Sequence, residues 1–315
     1  MHLHWGWLIA IYLFLGGLGA GAYLTSYAAD RGWLGNSPAL RRAGYFMSGP
    51  IVAIGTLLLV FDLGQGLRKP WLLVRLVVNV KSSVMTWGVW ILAFFIVVSL
   101  LIALLIWMKR EVPAILTHVG AVLALATCAY TGLLLAVVEA FPLWNNYLLP
   151  VLFVVSALST GLSITVLISN IIDKGLATDE VKTTKLHVYL VVLEVILIGV
   201  IFGMAAMGAK GVVAAESVAR ILTGEFAIWF WSCLIVLGLL VPFFVSVYAL
   251  NKLGSGHSGH ALSAATGSGA SVAVGEADSL LKVMLLSDAL VVLGGFVLRY
   301  VVVFAALPIW NGTLM

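Results

Sequence analysis

The sequence predicts an all-α integral membrane protein of eight transmembrane helices, arranged as two four-helix bundles. Of 315 residues, 63% are hydrophobic and only 10% are charged, against about a quarter charged in a soluble domain. That is too little charge to cover a water-facing surface of normal size. A bilayer core requires roughly 20 apolar residues per helix, and the chain supplies eight such runs, at about 5–28, 44–64, 86–108, 114–138, 147–171, 187–209, 227–250 and 283–306. Residues 1–140 then form the first bundle and residues 141–315 the second.

The first run has no basic leading segment, exceeds the apolar core of a signal peptide and lacks an A-x-A-like cleavage site, so it reads as helix one. Its tract Leu15-Gly-Gly-Leu-Gly-Ala-Gly-Ala22 would let a neighbouring helix approach closely. Between helices two and three, Trp71-Leu-Leu-Val-Arg75-Leu-Val-Val-Asn79-Val-Lys81 is amphipathic and too short to span, which suits a segment lying in the membrane interface. Its basic residues Arg68, Lys69, Arg75 and Lys81 serve either as snorkelling anchors in lipid or as a docking surface for a partner. Residues 254–275 are rich in Gly, Ser and Ala, the composition of a flexible linker. Two histidines there, His257 and His260, have no further ligands beside them, so no metal site is expected.

An internal echo accompanies the eightfold pattern. At an offset of 140, Leu18, Gly21 and Thr25 fall on Leu158, Gly161 and Thr165, and an offset of 170 sets Tyr130 on Tyr300. Both are compatible with two related halves, an organisation common in membrane carriers. Orientation follows from Lys and Arg: ten lie in connections on one face and six on the other, with Arg299 inside the last helix. Basic loops stay in the cytoplasm, which places both termini on the periplasmic side. The net charge of +4 is spread without a run of five like charges, so no nucleic-acid surface is expected. Cys128 and Cys233 lie in apolar runs without CxxC, CxxCH or ferredoxin spacing, which argues against a disulfide framework, attached haem or an iron–sulfur cluster in this chain.

Ionisable groups inside a span are costly and so are candidates for function. Asp62 and Glu139 lie near the outer ends of helices two and four, Glu194 lies in helix six, and Asp288 and Arg299 lie in helix eight. His118, His187 and Glu139, at helix ends, suit solvated caps, whereas Glu194, Asp288 and Arg299 form either a structural buried pair or a route for protons. With the termini outside, His4, Asp62, Tyr130 and Glu139 converge in the outer half of the first four helices. A Tyr hydroxyl and an imidazole can hydrogen-bond the two oxygens of a quinone, and nearby carboxylates can take up the protons released on quinol oxidation. A haem between His118 and His187 would sit at the interface and no second membrane-embedded histidine pair exists, so no haem is expected.

The strings Trp5-Gly-Trp-Leu-Ile-Ala-Ile-Tyr-Leu-Phe-Leu-Gly-Gly-Leu-Gly-Ala-Gly21, Asp62-Leu-Gly-Gln-Gly-Leu-Arg-Lys-Pro70, Trp87-Gly-Val-Trp90, Tyr130-Thr-Gly-Leu-Leu134 and Leu149-Pro-Val-Leu-Phe-Val-Val-Ser-Ala-Leu-Ser-Thr-Gly161 stand out along the chain. Together they resemble the NrfD/PsrC family of haem-free membrane subunits of polysulfide-reductase-like complexes. The resemblance runs through the first five helices and is weaker over the last three. It implies a site for menaquinone or ubiquinone near the outer face, a ferredoxin-like iron–sulfur partner that holds the clusters, and a molybdopterin-containing catalytic subunit beyond it. It also implies the bacterial inner (cytoplasmic) membrane as the location. Tyr130 matches the family's quinone-contacting tyrosine and Asp62 its helix-two acidic residue, with His4 at the first-helix polar site. Glu194 and Arg299 resemble the buried charges proposed to carry protons in the second bundle.

The expected function is therefore a quinone-reactive membrane anchor of a respiratory oxidoreductase, with proton transfer through Asp62, Glu139, Glu194, Asp288 and Arg299. The alternative is a secondary transporter or ion-translocating module, suggested by the internal echo and the buried charges. Such carriers hold substrate at the midplane on broken helices, whereas the polar cluster here lies near one face.

Overall fold

The computed structural model describes residues 6–35, 37–62, 84–172, 180–263 and 270–309. All eight expected spans are helices long and apolar enough to cross a bilayer, and no strand occurs among the described residues. Helix α1 (Trp7–Asp30) is followed by a short turn in which Gly32 takes the left-handed region at φ +74°. Helix α2 (Pro38–Asp62) starts where the sequence offers both a cap and a helix-compatible φ. The Ser37 hydroxyl accepts from the Leu40 N–H at 3.3 Å, and Pro38 occupies the first helical position, where no N–H is needed.

Helix α3 (Val84–Trp107) and helix α4 (Ala114–Ala136) are joined by a tight turn, with Pro113 leading into α4. Helix α5 (Leu148–Ile172) is capped by Asn146, whose side-chain oxygen accepts from the Leu148 N–H at 3.0 Å. The connection before it is pinned to the far end of the chain, because the Trp144 indole donates to the Val302 carbonyl at 2.7 Å.

Helix α6 (Glu180–Ala206) begins seven residues before the apolar run expected from 187. A short helix, α7 (Val212–Leu222), follows, burying Ala214, Ser217, Val218 and Ile221 on one face. Helix α8 is continuous across two geometries, a π-helical run Trp229–Leu240 and the α-helix Val241–Ser263. The change of register coincides with Pro242, which has no N–H to contribute. Helix α9 (Ala270–Ala305) completes the fold.

Two features lie outside the expected apolar runs. Within the stretch 254–275 expected as a flexible linker, α8 continues to Ser263 and α9 opens at Ala270. Extending a helix that the membrane has already nucleated costs far less than starting one, so even a Gly- and Ser-rich continuation can remain helical. The helix α7 had no counterpart in the apolar runs, because at 11 residues it is too short to register as a span. The amphipathic segment around Trp71 lies outside the described residues.

Helices α1 and α5 form the centre. In α1 72% and in α5 61% of the spanning window is buried, against 22% in α3, which therefore faces lipid. Helix α1 touches α2, α4, α5 and α9, and α5 touches α1, α2, α4, α6 and α9. The two central helices meet at glycines: a Cβ on Gly21 would strike the Ala157 carbonyl, and one on Gly161 would strike the Gly21 backbone. This is the small-residue approach by which membrane helices gain van der Waals contact without a hydrophobic driving force. Thr25 donates to the Gly21 carbonyl at 3.0 Å and Thr165 to the Gly161 carbonyl at 2.6 Å, so the residues matched at an offset of 140 repeat one local bond.

Candidate functional site

Tyr130 sits six residues before the end of α4, about 9 Å of helix rise from it. It is buried, at 4% exposure. Its ring lies against Gly88 of α3, where a Cβ would overlap the phenol, so the glycine of the Trp87-Gly-Val-Trp90 string is the space that Tyr130 fills. Gly132, two residues on, packs against the Pro150 backbone of α5, and Thr131 packs against Gly16 of α1. The motif glycines thus seat one tyrosine between α1, α3, α4 and α5.

A second tyrosine, Tyr12 of α1, is fully buried close enough to Tyr130 for the two phenols to interact electrostatically. Its hydroxyl has no hydrogen-bond partner among the described residues, and neither has that of buried Thr86, two residues before Gly88. A buried hydroxyl without a partner costs about 1–3 kcal/mol, so a polar ligand reaching this place would be favoured. Sequence reading missed Tyr12, although it lies within the first motif string. Of the other residues expected here, His4 and the basic residues Arg68, Lys69, Arg75 and Lys81 lie outside the described residues. Asp62 is the last residue of α2, with its side chain undescribed. Glu139 is exposed in the turn after α4.

The second cluster adjoins the first through α1. Gly17 makes room for the Arg299 guanidinium of α9, which is 0% exposed. Arg299 donates through Nη1 to the Ser156 hydroxyl of α5 at 2.6 Å and to the Gly295 carbonyl at 2.8 Å, and its Cζ lies 5.2 Å from the centre of the Phe153 ring. Glu194 of α6, 3% exposed, comes within reach of the same Ser156 hydroxyl and feels the charge of Arg299. One neutral hydroxyl therefore stands between a buried cation and a buried carboxyl. Cys128 of α4 also lies in the field of Arg299. Of the three buried charges expected from the sequence, Glu194 and Arg299 thus share Ser156, an intermediary that sequence reading missed.

A third group lies about 16 Å further along α9, eleven residues from Arg299. Asp288 faces His187 of α6, with Oδ1 and Nδ1 3.8 Å apart, and comes within reach of Ser163 of α5. Both are buried, so the expectation of His187 as a solvated cap is corrected: α6 begins at Glu180, which sets His187 two turns inside the helix. Beside them a cavity lined also by Asn170, Thr183, Thr184 and Ser246 offers about 40 Å³ to water, room for roughly three molecules. Along α5, buried Ser156, Ser159 and Ser163 lie between the two charged groups. Tyr300, matched to Tyr130 at the offset of 170, instead stacks on Trp7 at 4.8 Å within an aromatic cluster. His118 is exposed, with Nδ1 3.0 Å from Arg31 Nη2 and beside the Ala114 carbonyl.

Comparison with known proteins shows the family of the chain. The family described as "Polysulphide reductase, NrfD" matches residues 1–268. The C subunit of the polysulfide reductase of Wolinella succinogenes is 32% identical over 270 residues, which cover 77% of this protein and 83% of that one. Protein NrfD of Escherichia coli K12 is 31% identical over 269 residues, covering 76% and 83%. The NrfD homolog of Haemophilus influenzae is 28% identical over 284 residues, covering 80% and 86%. A match reaching through seven spans extends the sequence resemblance past helix five, and with the eight-helix architecture it makes the chain a multi-pass membrane subunit of the NrfD polysulfide reductase family.

Proposed function

We propose that this subunit binds menaquinone or ubiquinone beside Tyr130 and exchanges its electrons with a partner iron–sulfur subunit docked on the same face. The observation that carries this reading is the pair of buried phenols, Tyr130 seated on Gly88 and Tyr12 with an unpartnered hydroxyl. Two buried phenol hydroxyls can each donate to a ligand carbonyl oxygen or accept from a ligand hydroxyl. The quinone, when bound, supplies the two-electron chemistry; the protein supplies position and protons. The tight packing of the motif glycines fixes the Tyr130 ring and keeps bulk water from its hydroxyl. Asp62, the last residue of α2, and His4, outside the described residues, complete the site in this reading, and Glu139 passes protons to the exposed turn.

The basic residues Arg68, Lys69, Arg75 and Lys81 form the docking surface for a ferredoxin-like partner, which in turn meets a molybdopterin-containing catalytic subunit. Glu194, Arg299 and Asp288 carry protons through the second half, with the α5 hydroxyls between them and His187 as a further member. The expected setting is the bacterial inner membrane with both termini periplasmic. Replacing Tyr130 by Phe in the assembled complex tests the reading: quinone-linked turnover should fall about tenfold, the loss of one buried hydrogen bond worth about 1.4 kcal/mol, while subunit assembly is unchanged. Unchanged turnover would remove Tyr130 from the site.

A further inference from the structure

The connections α1–α2 and α3–α4 meet at the end of the bundle opposite Tyr130, and between them lies a cavity of about 560 Å³. Its walls carry Arg41, Arg42, Lys109 and Arg110 against Asp30 and Glu111. Asp30 is engaged, since its Oδ1 lies 3.3 Å from Arg41 Nη1. Arg42, Lys109 and Arg110 make no ion pair among the described residues. Among the described residues, three cations without an ion pair thus face one cavity, with Glu111 the lining carboxylate likewise without one.

The backbone places one of these cations at a conformational cost. After α3 the Arg110 N–H bonds to the Leu105 carbonyl at 2.9 Å and the Lys109 N–H to the Ile106 carbonyl at 3.0 Å. This is the crossed pair of bonds that closes a helix over a left-handed residue, a position usually held by glycine. Here it is Lys109, at φ +55°. A lysine where glycine would be relaxed, turned into a cavity already lined by arginines, is the arrangement of an anion site.

The surroundings indicate which anion. Trp107, the last residue of α3, and Trp33, in the turn after α1, are 74% and 66% exposed at the same ends of their helices as the cavity, and indoles of this kind mark the depth of the lipid headgroups. Below it α3 presents exposed Leu100, Leu101 and Leu104, an apolar surface along which acyl chains can lie. Basic pockets between transmembrane helices on the positive face of a membrane protein bind acidic headgroups. We propose that this cavity binds the phosphodiester headgroup of an anionic phospholipid, with Arg42, Lys109 and Arg110 on the phosphate and the acyl tails against α3. The inference is independent of the quinone reading.

The test uses the complex purified mildly from membranes and the same complex delipidated and returned to vesicles. In the combined variant Arg42→Gln/Lys109→Gly/Arg110→Gln, phosphatidylglycerol retained per protein should fall at least threefold, while Arg42→Lys alone should retain it. Lys109→Gly by itself removes one charge and relieves the left-handed lysine, so it should raise the melting temperature in neutral detergent while lowering lipid retention, which separates lost binding from misfolding. Vesicles containing phosphatidylglycerol should stabilise the native complex where pure phosphatidylcholine vesicles and inorganic phosphate do not. Equal lipid retention in the combined variant would overturn the proposal. So would equal stabilisation by inorganic phosphate, or loss of a protein subunit with the bound lipid unchanged.

Discussion

Tyr130 and Arg299 illustrate how single residues are placed by what surrounds them. Tyr130 depends on an absence, the missing Cβ of Gly88. In Gly88→Ala the phenol must move, and overpacking of this kind costs about 1–3 kcal/mol. The prediction is a lower melting temperature together with reduced quinone-linked turnover, whereas Tyr130→Phe lowers turnover alone. Arg299 depends on partners: Ser156 and the Gly295 carbonyl take its N–H groups, and Glu194 supplies the opposite charge. Removing one member of a buried pair strands the other, at about 3–5 kcal/mol. Glu194→Ala should therefore destabilise the protein strongly. Glu194→Ala/Arg299→Met should recover part of the loss, and a thermal-unfolding double-mutant cycle in detergent measures the recovery.

At the scale of elements, the α1–α5 contact organises the rest. Both helices carry Gly-x-x-x-Thr at the contact, Gly21 with Thr25 and Gly161 with Thr165, and each threonine turns its hydroxyl back onto its own helix. Gly161→Val places a branched side chain against the Gly21 backbone, and the expected outcome is loss of folded protein from the membrane fraction, measured by its yield in mild detergent. This contact was legible in the sequence as a run of small residues and an offset of 140, because close helix approach has a compositional signature. The hydroxyl file of α5 was less legible, since serine in a span serves packing as readily as polar contact. His187 was misplaced because hydropathy finds the apolar part of α6 and overlooks its polar first turns. The π-helical run Trp229–Leu240 leaves no mark in an apolar sequence at all. Asp288→Asn tests whether the group opposite His187 takes part in transfer: proton uptake by vesicles holding the complex should fall at least threefold, with Tyr130-dependent quinone binding retained.

For the whole molecule, composition and eight apolar runs were sufficient to give the fold class, because lipid leaves the backbone few alternatives to a helix. What they did not give was the mutual arrangement of the charges. Arg299 approaches Ser156 across 143 residues, and no local pattern encodes such a pairing. The surplus of basic residues around the α1–α2, α3–α4, α5–α6 and α8–α9 connections, ten against six on the opposite face, sets the expected orientation. Single cysteines introduced at exposed Glu111 and at exposed Tyr147 should react with an impermeant thiol reagent from opposite sides, Glu111→Cys from the cytoplasm. The native Cys128 and Cys233 lie within spans and should stay silent.

The central claim is that quinone binds between α1, α3 and α4 at Tyr130. Photolabelling the assembled complex with an azido-quinone, followed by peptide mapping, tests it most directly. The account predicts label on the peptides carrying Tyr12, Thr86 to Trp90 and Tyr130, competed away by unlabelled quinone and reduced in Tyr130→Phe. Competable label confined to α6 and α9 around His187 and Asp288 would contradict it.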